Sequence, residues 1–171
     1  GSIPVKCHRG YDLPNWWTPD WLILATSYSG NTEETLEACN EALKNDATIV
    51  VISSGGELAG MCELSDSAHL ISCPGGQPPR SACGHIFSRQ LALLVEIGIL
   101  QTEVSEHALM RLHLSVEDND IISHPEGYVS SLALNLMQNP IAILGPNELM
   151  PAVNRFKNQL NENSSRFARI G

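Results

Sequence analysis

Positive charge is what this 171-residue sequence has least of: ten Lys and Arg stand against nineteen Asp and Glu, for a formal net charge of −9. Such a balance disfavours nucleic acid and anionic membranes as partners, and any anionic ligand has to be held by local geometry. Long apolar runs are missing as well. The longest, Leu91 to Leu100, contains Glu96 and gives way to Gln101, far short of the roughly 20 residues a membrane-spanning helix needs. The five cysteines (Cys7, Cys39, Cys62, Cys73 and Cys83) are an odd set with no Cys-x-x-Cys pair and no Cys/His cluster at zinc spacing. No metal or other cofactor is expected from them, and a reducing cytoplasmic setting fits. Charged residues make up only 17% and hydrophobic residues 43%, which excludes disordered, collagen-like and coiled-coil classes and leaves a globular chain. Its length allows one domain of roughly 100–150 residues and a remainder. It starts Gly-Ser, without Met or a charged-then-apolar leader, which reads as a tag scar or an internal starting point.

Strand-like and helix-like stretches alternate along the chain. Ile3 to Cys7 is a short β-like run, and Gly10 to Asp20, with Pro14 and Pro19, is a connection without helical period. Trp21 to Thr26 is a continuous apolar run of strand length, the pattern of a strand buried on both faces of a parallel sheet. From Thr32 the period is helical: Leu36, Cys39 and Leu43 form one stripe, while Glu33, Glu34, Glu37 and Glu41 face outward. Ala47 to Ile52 is a β-branched run closing into Ser53-Ser-Gly-Gly56, which reads as a plain turn. A short helix over Glu57 to Leu64, a strand over Ala68 to Ser72, a breaker-rich loop over Pro74 to Pro79 and a long helix over Ser81 to Gln101 follow. This alternation with tight links predicts an α/β doubly wound parallel sheet, with the carboxyl ends of its strands along one edge. Next come an amphipathic stretch (Glu103 to Ser115), a linker near 117–125, a helix (Tyr128 to Gln138), a strand (Pro140 to Leu144) and a helix (Asn147 to about Asn163). One strand and one helix cannot cover both faces of a sheet, so this last unit reads as unfinished.

The chemistry concentrates in Thr26-Ser-Tyr-Ser-Gly-Asn-Thr-Glu-Glu-Thr-Leu36, where a strand end passes through small hydroxyl residues and Gly30 into a helix start. Free N–H groups, the positive dipole end and the hydroxyls of Ser27, Ser29 and Thr32 together make a candidate phosphate site at the ligand-binding edge of the sheet. The plainer reading stays open: Thr32 caps the helix and the serines form a turn. Trp16, Trp17 and Trp21 lie close by in sequence and suit either packing or stacking on a sugar. Glu117-Asp-Asn-Asp120 lacks the Gly and terminal Glu of a calcium loop and reads as solvated linker.

Ser27-Tyr-Ser-Gly-Asn-Thr-Glu-Glu-Thr35 resembles the signature of sugar isomerase (SIS) domains, in the form found in bifunctional phosphoglucose/phosphomannose isomerases. Pro79-Arg80-Ser-Ala-Cys-Gly84 resembles that family's arginine-bearing loop, and Arg155 to Asn163 its segment around the catalytic glutamate. The resemblance implies that Ser27, Ser29 and Thr32 bind the substrate phosphate, that Arg80 faces the reacting carbons and that Glu162 shuttles a proton between C1 and C2. Those residue types suit proton transfer next to a carbonyl, which needs a carboxylate base and a fixed cation for the enediolate. From residue type alone, Arg80 and Glu162 would pass for ordinary surface charges. The family's first Gly- and Ser-rich loop and its downstream Asn-His-Asn-Glu motif have no counterpart here, so none of the six histidines is assigned a role.

The resemblance implies an SIS-type, flavodoxin-like sheet. Residues 1–105 would form a first SIS domain lacking its first strand and loop, 106–125 a helical linker, and 126–171 the incomplete start of a second such domain. It further implies a cytoplasmic homodimer without cofactor. The expected activity is interconversion of glucose 6-phosphate, and of mannose 6-phosphate, with fructose 6-phosphate through a cis-enediolate. The alternatives are a non-catalytic SIS-type sugar-phosphate-binding regulatory module, for which no basic effector segment is visible, and a folded but inactive fragment.

Overall fold

The computed structural model describes residues 3–101, 106–165 and 167–170. The Gly-Ser start and residues 103–105 of the expected amphipathic stretch lie outside the described residues. The chain divides into two units, Gly1–Thr102 and Glu103–Gly171.

Three strands organise the first unit: β1 (Ile23–Thr26), β2 (Ile49–Ser53) and β3 (Ala68–Ser72), parallel and in the order β1-β2-β3. Helices α1 (Glu33–Lys44) and α2 (Gly56–Leu64) form the crossovers. A 3-10 turn at Pro79–Ser81 leads into α3 (Cys83–Glu96). β2 is buried along its whole length because it is the middle strand and both its faces are covered. On one face Ile49 and Val51 pack with Cys39 and Ala42 of α1 and Leu58 of α2. On the other Ile52 packs with Tyr28, Cys73, Ala82 and Ile86. Helices on both faces give the doubly wound layer that the apolar runs predict. Ile49, Val51, Ile52 and Leu58 are fully buried, and each contributes about 1.5–3 kcal/mol through the apolar surface it removes from water.

The run Ile3 to Cys7 and the end of α3 depart from expectation for physical reasons. Ile3 to Cys7 pairs with no described strand: an apolar alternation becomes a strand only where a neighbour supplies hydrogen bonds. α3 stops at Glu96 rather than Gln101, because Gly98 adopts φ +76° and the N–H groups of Ile99 and Leu100 turn back onto the Leu94 carbonyl.

The second unit contains α4 (Glu106–Asp118), α5 (Tyr128–Leu136), β4 (Ile141–Ile143), a 3-10 turn at Asn147–Leu149, α6 (Met150–Asn163) and β5 (Ala168–Ile170). β5, absent from the sequence reading, pairs parallel with β4 in the register Ile141–Ala168 to Ile143–Ile170 and completes a β-α-β unit. Val153 and Ala168 are its buried apolar residues, while Leu109, Leu112 and Val116 of α4 are exposed. Among the described residues no helix is long and apolar enough to cross a membrane.

Candidate functional site

Because β1, β2 and β3 are parallel, Thr26, Ser53 and Ser72 end at one edge of the first unit. There the chain turns from β1 into α1 in six residues, Ser27 to Thr32. The ladder runs one step further, Ser27 N donating to Ile52 O at 3.2 Å, and then the chain folds back as Gly30 N reaches both the carbonyl and the Oγ of Ser27 at 3.2 Å.

Thr32 occupies the N-cap position of α1 but caps nothing. Its backbone is extended (φ −74°, ψ 115°) and its hydroxyl makes no bond to the helix start. Instead Thr32 Oγ1 lies 2.8 Å from Oγ of Ser27, which is buried. The first intrahelical bond is Leu36 N to Thr32 O. The N–H groups of Glu33, Glu34 and Thr35 consequently lack the acceptors that earlier turns or a capping side chain would provide. They point out of the positive end of a 12-residue helix. The Ser27 and Thr32 hydroxyls use one hydrogen between them and keep one for a ligand. Ser29 is exposed, its Oγ accepting from Asn31 N at 3.3 Å. Amides and hydroxyls with one dipole end can hold an oxyanion.

The acids beside this turn act in the opposite sense. Glu34 above all, then desolvation and Glu33, hold the Tyr11 phenol above its usual pKa. The local field is negative, so an anion here depends on directed N–H and O–H donors rather than on net charge.

A second turn, Ser53 to Gly56, supports the first. Asn31 Oδ1 accepts from Glu57 N at 2.9 Å, Gly30 O from Leu58 N at 3.0 Å, and Tyr28 O from Ser54 N at 2.9 Å and Ser54 Oγ at 2.6 Å. Close approach imposes glycine on both turns. Gly30 has φ +71°, and a Cβ there would lie 1.8 Å from Gly55 O; Gly56 has φ +72°, and a Cβ would lie 2.3 Å from Ser29 O. Read as a plain turn in the sequence, Ser53 to Gly56 is the buttress of the candidate site. Its Gly-Gly pair at a strand end was the available signal.

Arg80 lies at the same edge, in the exposed 3-10 turn Pro79–Ser81. The next residue but one, Ala82, is fully buried in one cluster with Tyr28, Ile52 and Cys73. Glu162 stands in the second unit, exposed in the last turn of α6. The neighbouring Asn161 Oδ1 accepts from Ala168 N at 2.8 Å, tying that helix end to β5. The first unit therefore brings Ser27, Ser29 and Thr32 together on one turn with Arg80 on a neighbouring loop, and Glu162 belongs to the other unit.

Beside α1 a groove of about 940 Å³ runs along the open edge of β1, lined among others by Trp16, Trp17, Trp21, Thr32, Thr35 and Gln90. Trp16 and Trp21 pack with ring centroids 5.0 Å apart. Of the histidines, His85 Nε2 lies 3.1 Å from Gln77 Nε2 and His8 Nε2 2.7 Å from Asp12 O. Among the described residues no three His, Cys, Asp or Glu side chains gather as a metal ion would require.

No protein-family model matches the chain. It is 34% identical over 169 residues to a bifunctional phosphoglucose/phosphomannose isomerase of Caldicellulosiruptor bescii, a match covering 95% of this chain and 49% of the relative. It is 31% identical over 165 residues to the protein of the same name from Thermoplasma volcanium, covering 96% of this chain and 50% of the relative. A D-glucosamine-6-phosphate 4-epimerase of Sulfolobus acidocaldarius is 32% identical over 143 residues, 83% of this chain and 44% of that protein. Among solved structures, the tagatose-6-phosphate ketose/aldose isomerase from Escherichia coli matches with a TM-score of 0.64 at 19% identity, over 91% of this chain and 44% of that one. At that identity the match shows the fold, a sugar-isomerase-type sheet flanked by helices. The chain spans about half the length of the curated relatives it matches.

Proposed function

We propose that the chain, 34% and 31% identical over nearly its whole length to two bifunctional phosphoglucose/phosphomannose isomerases, belongs to their family and takes part in aldose–ketose isomerisation of glucose 6-phosphate, and of mannose 6-phosphate, to fructose 6-phosphate. In this reading residues 1–105 are a first SIS domain, 106–125 a linker and 126–171 the opening of a second, acting in a cytoplasmic homodimer. The observation that carries the reading is the diverted cap: Thr32 turns its hydroxyl to Ser27 and leaves the first N–H groups of α1 without partners. Donors left open in this way suit a dianionic ester.

The phosphate anchors the open-chain sugar against Ser27, Ser29 and Thr32. The Glu162 carboxylate removes the proton from C2 of the aldose, the C2–H electron pair forms the enediolate double bond, and the carbonyl oxygen at C1 gains negative charge. Arg80 steadies that charge with a planar fork of donors, which a lysine lacks. Return of the proton to C1, with a hydroxyl proton passing from O2 to O1, yields the ketose with every atom accounted for. Similarity to a 4-epimerase makes the choice of carbon a matter for assay.

Fructose 6-phosphate formation from each hexose phosphate, followed with and without Glu162→Gln, tests the proposal. Turnover that falls by at least about 10²-fold in the variant, as expected for loss of a general base, supports it. Unchanged turnover in the variant overturns Glu162 as the base, whereas phosphosugar binding without any turnover in the protein favours the regulatory-module reading.

A further inference from the structure

The hydroxyl of Tyr28 links the two halves of the candidate site. Tyr28 sits inside the turn whose neighbours Ser27 and Ser29 carry the phosphate-binding hydroxyls, yet its ring points inward, 9% exposed, among Ile52, Cys73 and Ala82. Its Oη donates to Pro74 O at 2.9 Å and accepts from Gln77 N at 3.2 Å. Both partners belong to the loop that precedes Arg80, and Gln77 is three residues before it. After Arg80 the chain is held again: Ser81 N donates to Pro78 O at 2.9 Å, and the buried Ala82 packs in the same cluster as the Tyr28 ring. At its other end the Tyr28 carbonyl is fixed by Ser54 N and Ser54 Oγ. One residue is thus clamped by backbone to the end of β2, by its ring to the core, and by its hydroxyl to the loop bearing Arg80.

Resting on the isomerase reading above, we propose that Tyr28 is a positioning residue that sets the Arg80 turn at a fixed distance from the phosphate-binding turn. A tyrosine suits this task where phenylalanine would not. The loop 74–78 contains Pro74, Gly75, Gly76 and Pro78, so it offers few side chains to anchor it and little secondary structure. Tyr28 Oη lies within hydrogen-bond distance of both a carbonyl and an N–H of this loop, and it satisfies both with a single rigid side chain. The phosphate turn and the arginine turn then behave as one body, and the orientation of a sugar held at one end is carried to the other.

The test compares two probes on the full chain: inorganic phosphate, which needs only the Ser27–Thr32 turn, and 5-phospho-D-arabinonate, whose carboxylate mimics the enediolate oxygens facing Arg80. Tyr28→Phe keeps the ring and the core, and a far-UV circular-dichroism melt confirms that the variant is folded. We expect Tyr28→Phe to keep phosphate affinity within about twofold and to lose about tenfold in arabinonate 5-phosphate affinity, in line with the loss of two neutral hydrogen bonds. In an Arg80→Ala background the same change should cost less than about twofold, since a residue acting through Arg80 has nothing left to position. Equal weakening of both probes, no weakening of either, or a full tenfold loss in the Arg80→Ala background overturns the role of Tyr28 while leaving the isomerase reading intact. A wild-type chain that binds neither probe overturns both. If Tyr28→Phe melts out, amide exchange of Gln77 in the wild type decides: fast exchange, as in an unanchored loop, overturns the proposal, and protection supports it.

Discussion

Replacing Gly30 by alanine tests the architecture of the site more sharply than any change of a hydroxyl. Gly30 holds φ +71°, a region that costs an alanine about 1 kcal/mol or somewhat more. The new Cβ would also meet Gly55 O at 1.8 Å and Gly55 C at 2.8 Å. These are backbone atoms, so no flexible side chain can yield and the Ser53–Gly56 turn has to move away. Moving it strains or breaks Leu58 N to Gly30 O and Glu57 N to Asn31 Oδ1, each contributing about 1 kcal/mol. A loss of about 3–4 kcal/mol is therefore expected, a large share of the 5–15 kcal/mol that typically stabilises a domain. Urea unfolding measures it, with an unchanged slope as the sign that the denatured state is the same. Gly60→Ala is the control. Gly60 lies inside α2 with nothing within 4 Å of the added Cβ, and helix propensity predicts a gain of up to about 1 kcal/mol. A loss below about 1 kcal/mol in Gly30→Ala would refute the docking of the two turns.

Thr32→Val keeps the shape of the N-cap residue and removes its hydroxyl; inorganic phosphate titration should show about tenfold weaker binding, and urea unfolding a loss of about 1 kcal/mol from the Ser27–Thr32 hydrogen bond, with nothing added from capping because no capping bond exists. Asn31→Ala removes the acceptor for Glu57 N and should destabilise by about 1 kcal/mol in the same urea experiment. The buried Cys39 thiol is pushed up from an ordinary 9.0 to about 11, first by burial and then by Cys62. With the folded pKa raised, the stability this thiol contributes is complete below pH 9 and is lost as pH climbs from 9 through 11. The unfolded thiol ionises first, so about 2 kcal/mol should disappear across that window. Cys39→Ala should flatten this alkaline limb in urea unfolding at pH 8, 9, 10 and 11.

Much of the layer was legible because β2 is short, β-branched and buried on both faces, so periodicity and composition agree over Ala47 to Ile52. The Ser27–Thr32 turn was equally readable, since hydroxyls, Gly30 and the acids of the first helical turn have fixed local meanings. What escaped depends on contacts across the fold. Ser53-Ser-Gly-Gly56 looks like any turn until Gly30 comes to rest against Gly55 O. Nothing local announces that the Tyr28 hydroxyl reaches a loop 46 residues away. β5 is only three residues long with Arg169 at its centre, too short to show a period. Ile97 to Leu100 extends the apolar pattern of α3, yet Gly98 ends the helix, because a positive φ overrides hydrophobicity.

The most direct test of the account is a 1H–15N spectrum of the chain titrated with fructose 6-phosphate. If the Ser27–Thr32 turn grips the ester, the amides of Glu33, Glu34 and Thr35 and that of Gly30 shift first and furthest, and inorganic phosphate reproduces the same set. Shifts confined to residues away from this turn, or none at ligand concentrations that saturate other phosphosugar enzymes, would contradict it.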